Sequence, residues 1–156
     1  MAEPPLPAHR HTPGRNERHE EGAFDWIRDQ APAETTSAGA ADNPAWAYGL
    51  RLFNAGFYWE AHEVLEPVWM NAAPNAPERA LSQAVIQLAN AALKREMGRP
   101  RAALRLCDIA EAHAREAGEG PVMGLDPAAV RGAARRLGSS VAAGGDATAM
   151  ELFMEL

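Results

Sequence analysis

Residues 57–69 read FYWEAHEVLEPVW, and this stretch decides the fold. Phe57, Ala61, Val64, Leu65 and Val68 recur at helical spacing and form one apolar face. His62, Glu66 and Trp69 stand at i, i+4 and i+7 on another face, with Trp59 and Glu63 beside them. A helix with large apolar groups on nearly all sides belongs inside a helical domain, so its charged stripe is the feature to explain. Glu60 lies away from that stripe and is expected to be exposed.

The signals on either side are helical too. Upstream, Asn43 is a cap, Pro44 suits a first helical position, and Trp46, Gly49, Leu50 and Phe53 share a face up to a stop at Gly56. Pro67 either kinks the 57–70 helix or tightens its last turn. Downstream, Asn75 with Glu78 reads as a capping pair for a third helix that Pro77 helps to start and Gly98 ends. A fourth helix begins near Pro100, carries Ala103, Leu104, Leu106, Cys107, Ile109, Ala110 and Ala114, and stops at Gly118 and Gly120. A fifth begins at Asp126 and Pro127, with Leu125 and Val130 spaced as a hydrophobic staple, and is expected to close at Gly138.

These elements predict an all-α compact bundle of about five helices over residues 43–138. Gly56, Ala61 and Leu65 recur as Gly98, Ala103 and Cys107, a spacing that resembles tetratricopeptide-like helical hairpins, although two units are too few for a solenoid. Residues 1–40 read as a partly ordered arm and linker. Phe24, Trp26 and Ile27 pin that arm to the body, and His9, His11 and His19 are expected to be exposed. Residues 139–156 read as a linker and a short apolar segment carrying Met150, Phe153 and Met154.

Composition narrows the function classes. The chain has 156 residues, 47% of them apolar, a length that suits one core. A net charge of −6 argues against general affinity for nucleic-acid phosphates. Arg95, Arg99, Arg101 and Arg105 lack interleaved aromatics and read as a solvated helix end. The single cysteine, Cys107, excludes an intrachain disulfide and reads as a buried apolar residue. No apolar run approaches the roughly 18 residues of a membrane span, so neither membrane nor nucleic acid is expected as a partner and a cytoplasmic location is expected.

The third helix repeats the oddity of the second. ALSQAVIQLANAALK, residues 80–94, is apolar except for Gln83, Gln87, Asn90 and Lys94 at i, i+4, i+7 and i+11. This line is expected to face His62, Glu63 and Glu66 across a buried helical interface. Three readings of the seam compete. One is a structural polar network in a module that binds a protein partner or a second copy of the chain. Another is a divalent metal shared by His62 and Glu66, one helical turn apart, as in a metal-dependent hydrolase. The third is a metal-free pocket for a small ligand. There His62, Glu63 and Glu66 would do acid or base work, and Trp59, Trp69, Gln83, Gln87, Asn90 and Lys94 would bind the ligand. No cofactor is expected in that last case.

The stretches FNAGFYWEAHEVLEPVW, LSQAVIQLANAALK and GRPRAALRL together resemble the bacterial and archaeal family called domain of unknown function 309, over roughly residues 43–117. The arm sequence PGRNERHEEGAFD is similar to a leader found in some members. The resemblance implies a compact α-helical fold with a helical-hairpin core and no established reaction. Its motif falls on His62, Glu63, Glu66 and Trp69, with Gln83 and Gln87 on the next helix. Lys94 stands where the family often has a histidine.

Overall fold

A computed structural model describes residues 3–144, so the expected apolar tail at Met150, Phe153 and Met154 lies outside the described residues. Six helices form: α1 (Asp25–Arg28), α2 (Pro44–Asn54), α3 (Tyr58–Met70), α4 (Pro77–Glu96), α5 (Pro100–Glu116) and α6 (Pro127–Ala142). No strand occurs among the described residues. The all-α bundle expected from the sequence is the fold observed, with the one-turn α1 added to the five longer helices.

Chain-local chemistry explains the boundaries. Asn43 Oδ1 accepts from Trp46 N at 3.1 Å, and Asp126 Oδ1 accepts from Ala128 N at 2.9 Å, each just before a proline at the first helical position. The α2–α3 and α4–α5 hairpins turn at Gly56 (φ 88°) and Gly98 (φ 73°), a backbone state that glycine adopts without a Cβ penalty. These two glycines head the internal echo, and its four other members, Ala61, Leu65, Ala103 and Cys107, are all buried.

Two boundary expectations fail. Asn75 does not cap α4: it has φ 64°, Ala76 holds the cap position without a side-chain bond, and Glu78 accepts instead from Ser37 Oγ at 2.8 Å. The competing partner is a distant segment that local pattern could not reveal. Gly138 does not close α6, which continues to Ala142 because Leu137 and Val141 still face the core.

Consecutive helices pack on one another from α2 to α6, and α4 also touches α6, so α4 is the central rod. Leu81, Ala84, Val85, Leu88, Ala89, Ala91 and Ala92 are fully buried there. Its small side chains let α3 and α5 approach closely on two sides. Gly49 does the same between α2 and α3, where an added Cβ would lie 2.3 Å from Leu65 Cδ2.

The arm is fastened along much of its length. Tyr48 Oη donates to Pro5 O at 2.8 Å, Arg10 Nη1 to Gly56 O at 3.1 Å, and Thr35 Oγ1 to Val68 O at 2.7 Å. Phe24 and Ile27 are buried, whereas Trp26 remains 45% exposed.

Pro67 lies inside α3 and has no N–H for the carbonyl of Glu63 four residues earlier. Arg28 of α1 supplies the donor, with Nη1 on Glu63 O. Nη2 of the same guanidinium reaches Glu66 Oε1 at 3.2 Å. A one-turn helix thus repairs the proline defect and touches the charged stripe with one side chain.

Candidate functional site

The two polar stripes meet along part of their length. His62, Glu66 and Trp69 of α3 and Gln83, Gln87 and Asn90 of α4, with Ile86, line a cleft of about 140 Å³. The helices present them because α3 and α4 pack through the neighbouring apolar faces, leaving these polar positions along the edge of the contact. His62 Nε2 stands 3.9 Å from Glu66 Oε2, with the two side chains 33% and 37% exposed.

The seam differs from the buried one expected. Gln83, Gln87, Asn90 and Lys94 are half-buried and mark the partly solvated edge of α4. Among the described residues no hydrogen bond joins the three amides to His62 or Glu66, so their donors and acceptors are free to meet water or a ligand. Trp69 holds its indole Nε1 sealed from solvent without a partner. Arg79 lies over its ring at 4.7 Å and donates from Nη1 to Ala72 O at 2.9 Å.

Three of the expected site residues sit elsewhere. Trp59 and Glu63 line a separate cleft with Arg18, His19 and Arg28, on the side of α3 that faces the arm. Lys94, a turn beyond Asn90, is not among the residues lining the α3–α4 cleft. A helix period near 3.6 residues spreads seven positions around the whole barrel, so neighbours in a written stripe need not share a cavity.

The largest departure is Glu60, expected at the surface and found completely buried. Its Oε2 accepts from the backbone N–H of His11 at 2.7 Å and lies 2.6 Å from His19 Nε2, while Oε1 is sealed without a partner. His11 is therefore buried rather than exposed, and the His19 side chain is only 10% exposed. The His19 ring stacks on His9 at 4.3 Å and on Trp59 at 5.7 Å, and meets Phe24 edge-on at 5.0 Å. A signal was present in the sequence: Glu60 follows Phe57 by three residues and precedes Val64 by four, which sets it within the apolar face.

The Glu60 charge reaches its surroundings. Burial pushes the Glu96 carboxyl up, Arg10 and Arg95 pull it back, and Glu60 adds to the rise. Arg95, expected with a solvated helix end, is buried, and its Nε and Nη1 have no hydrogen-bond partner. Burial likewise raises the Tyr48 and Tyr58 hydroxyls and, with Asp108 adding, pushes the Cys107 thiol up to about 11. Such a thiol is inert at neutral pH, which matches the apolar role read from its neighbours.

A metal at His62 and Glu66 would need further protein ligands, such as an imidazole from His11, His19 or His113. The His11 ring meets Asn16 Oδ1 and Glu17 O through its Nδ1 at 3.1 and 3.2 Å, His19 Nε2 turns to Glu60, and His113 Nδ1 lies 3.6 Å from Glu116 Oε2. Among the described residues no three His, Cys, Asp or Glu side chains are grouped to hold an ion.

The family model described as Domain of unknown function (DUF309) matches residues 46–106, which span α2, α3, α4 and the first turns of α5. No curated protein and no solved structure gives a significant match to the chain.

Proposed function

Since residues 46–106 of this chain belong to the DUF309 family, whose description assigns no activity, we propose that the protein binds a small polar molecule in the α3–α4 cleft. One observation carries the reading. Three carboxamides, an imidazole and a carboxylate border one cleft without bonding to each other across it. A purely structural network would spend those groups on one another.

The size and chemistry of the cleft narrow the ligand. A cavity of roughly 150 Å³ holds a single six-membered ring, so the ligand has about six to eight non-hydrogen atoms. Gln83, Gln87 and Asn90 both donate and accept, whereas ionised Glu66 only accepts. That set favours a neutral or singly positive molecule rich in N–H or O–H donors. Arg28 at 3.2 Å holds the Glu66 carboxylate in place from outside the cleft. In an enzymatic version Glu66 takes a proton from the ligand and His62 shares it.

The spacing of His62 and Glu66 favours one second reading, a divalent ion. Their 3.9 Å separation closes to ligand distance with a small rotamer change, and amide oxygens of Gln83 or Gln87 and water would complete the shell.

A titration distinguishes the readings. Amide-labelled protein is mixed with small ureas, hydroxyamides and amino alcohols, and the side-chain NH₂ signals of Gln83, Gln87 and Asn90 are followed. Binding shifts these three together, and Glu66→Gln weakens it. If no compound moves them, or if Glu66→Gln and Gln87→Ala bind as well as the parent, the pocket reading is wrong. A melting temperature that falls with chelator, and no longer does so in His62→Ala, supports the ion instead.

A further inference from the structure

A second, larger cleft of about 710 Å³ opens between the arm and α2. Its walls are mainly apolar, with Pro5, Pro7, Phe24, Trp26 and Tyr48 among them. Trp26 and Tyr48 pack edge-to-face at 5.2 Å, and Trp26 keeps an exposure unusual for so large an apolar ring. His19 lines this cleft and also the 630 Å³ cleft bounded by Trp59 and Arg28.

His19 is unusually well held for a residue of an extended arm. Three rings fix its plane, and the buried Glu60 carboxylate holds its Nε2 at 2.6 Å. Because Glu60 Oε2 already accepts from His11 N–H, the same oxygen acts as acceptor toward His19, which places the ring proton on Nε2. In the neutral ring Nδ1 then presents a lone pair. It has no hydrogen-bond partner among the described residues and is not sealed from solvent.

We propose that His19 is the hydrogen-bonding centre of a ligand site for a small phenol-class molecule, distinct from the α3–α4 cleft. The aromatic ring lies against Trp26, Tyr48 and the prolines, and the phenolic O–H donates to His19 Nδ1. An acceptor at that atom selects a donor on the ligand, and the aromatic and prolyl walls suit a flat apolar ring. A phenol also has an acidic proton. As its O–H bond breaks, the proton goes to Nδ1 and the electron pair stays on the phenolic oxygen. The imidazolium so formed lies between the phenolate and the Glu60 carboxylate, two negative groups that stabilise it. Arg18 lines both clefts as a further cation near the phenolate. Glu60 touches no ligand here; it is a positioning residue that fixes the tautomer and plane of His19.

The probe is 4-nitrophenol, whose ionisation is visible as colour, added to the full chain at a pH where the free compound is half ionised. The expected result is a saturable rise in the phenolate band with quenching of tryptophan emission and a shift of the His19 Nδ1 nitrogen resonance. His19→Gln should weaken binding about tenfold and abolish the rise in phenolate. Trp26→Ala should weaken binding while leaving the bound probe as ionised as before. Absence of saturation up to about 5 mM overturns the proposal, as does a His19→Gln protein that binds and ionises the probe like the parent. Should that variant not fold, the wild-type resonance decides: an Nδ1 signal unmoved at saturation places the probe elsewhere and refutes the site.

Discussion

Replacing Arg28 by alanine should cost the protein about 1–2 kcal/mol, most of it through a carbonyl on another helix. The Glu63 carbonyl loses its donor because Pro67 provides none, and an unpaired, partly buried carbonyl costs about 1 kcal/mol or more. The ion pair with Glu66 adds little. Arg28 and Glu66 are 27% and 37% exposed, and such pairs contribute about 0–1 kcal/mol. The two contributions separate in a Pro67→Ala background, where the restored N–H at position 67 bonds the Glu63 carbonyl within the helix. Arg28→Ala should then cost only about 0.5 kcal/mol, leaving a coupling of about 1 kcal/mol between residues 28 and 67. Urea denaturation of the four proteins, followed by circular dichroism, measures each corner of the cycle. Whatever Pro67→Ala does alone cancels in the comparison. Equal cost of Arg28→Ala in both backgrounds would refute the assignment of Arg28 as the surrogate donor.

Four further outcomes are expected. Gly49→Ala should lower stability by about 1–2 kcal/mol, since overpacking against fully buried Leu65 outweighs the helix-propensity gain. Gly138→Ala should raise it by up to about 1 kcal/mol, because the added Cβ meets Cys107 Cβ at a comfortable 3.9 Å; thermal melting of both variants checks the opposite signs. At Glu78, burial opposes ionisation, but hydrogen bonds from its own backbone N–H and from Ser37 outweigh it and hold the carboxyl below its ordinary value. This stability is present above that value and lost as pH falls through the folded one, so Ser37→Ala should destabilise at neutral pH and converge with the parent in acid melts. Cys107 should resist a thiol reagent at pH 8 in the native protein and react at once in denaturant.

Features within one helix were legible from the sequence. Asn43, Asp126, Pro44, Pro77, Gly56 and Gly98 act through bonds and dihedrals reaching no more than a few residues, and their sequence assignments agree with the structure. The meeting of His62, Glu66 and Trp69 with Gln83, Gln87 and Asn90 was also legible, since two periodic stripes on adjacent helices have few ways to pack. What escaped were contacts across long chain separations. Ser37 diverts Glu78 from the α4 cap, Leu137 and Val141 carry α6 past Gly138 by facing the core, and His11 and His19 bury Glu60. In each case a polar or small residue had an ordinary local use and a stronger distant partner. Trp59 and Glu63 were assigned to the wrong cleft for a geometric reason, because the arm divides the surface of α3 into two compartments.

The fastening of Glu60 by the arm separates the unit that can be recognised from the unit that can fold. Residues 46–106 carry the family match, yet a fragment cut to those limits would lose His11 and His19 and leave the Glu60 carboxyl without its hydrogen-bond donors. It would also lose α6, stripping the cover from α5 and part of α4. A domain grafted into another protein, or trimmed for expression, has to carry its leader from at least Arg10 and its last described helix to Ala142. For this chain the portable module is defined by where its buried charge finds its donors, and that boundary lies some 35 residues ahead of the family match.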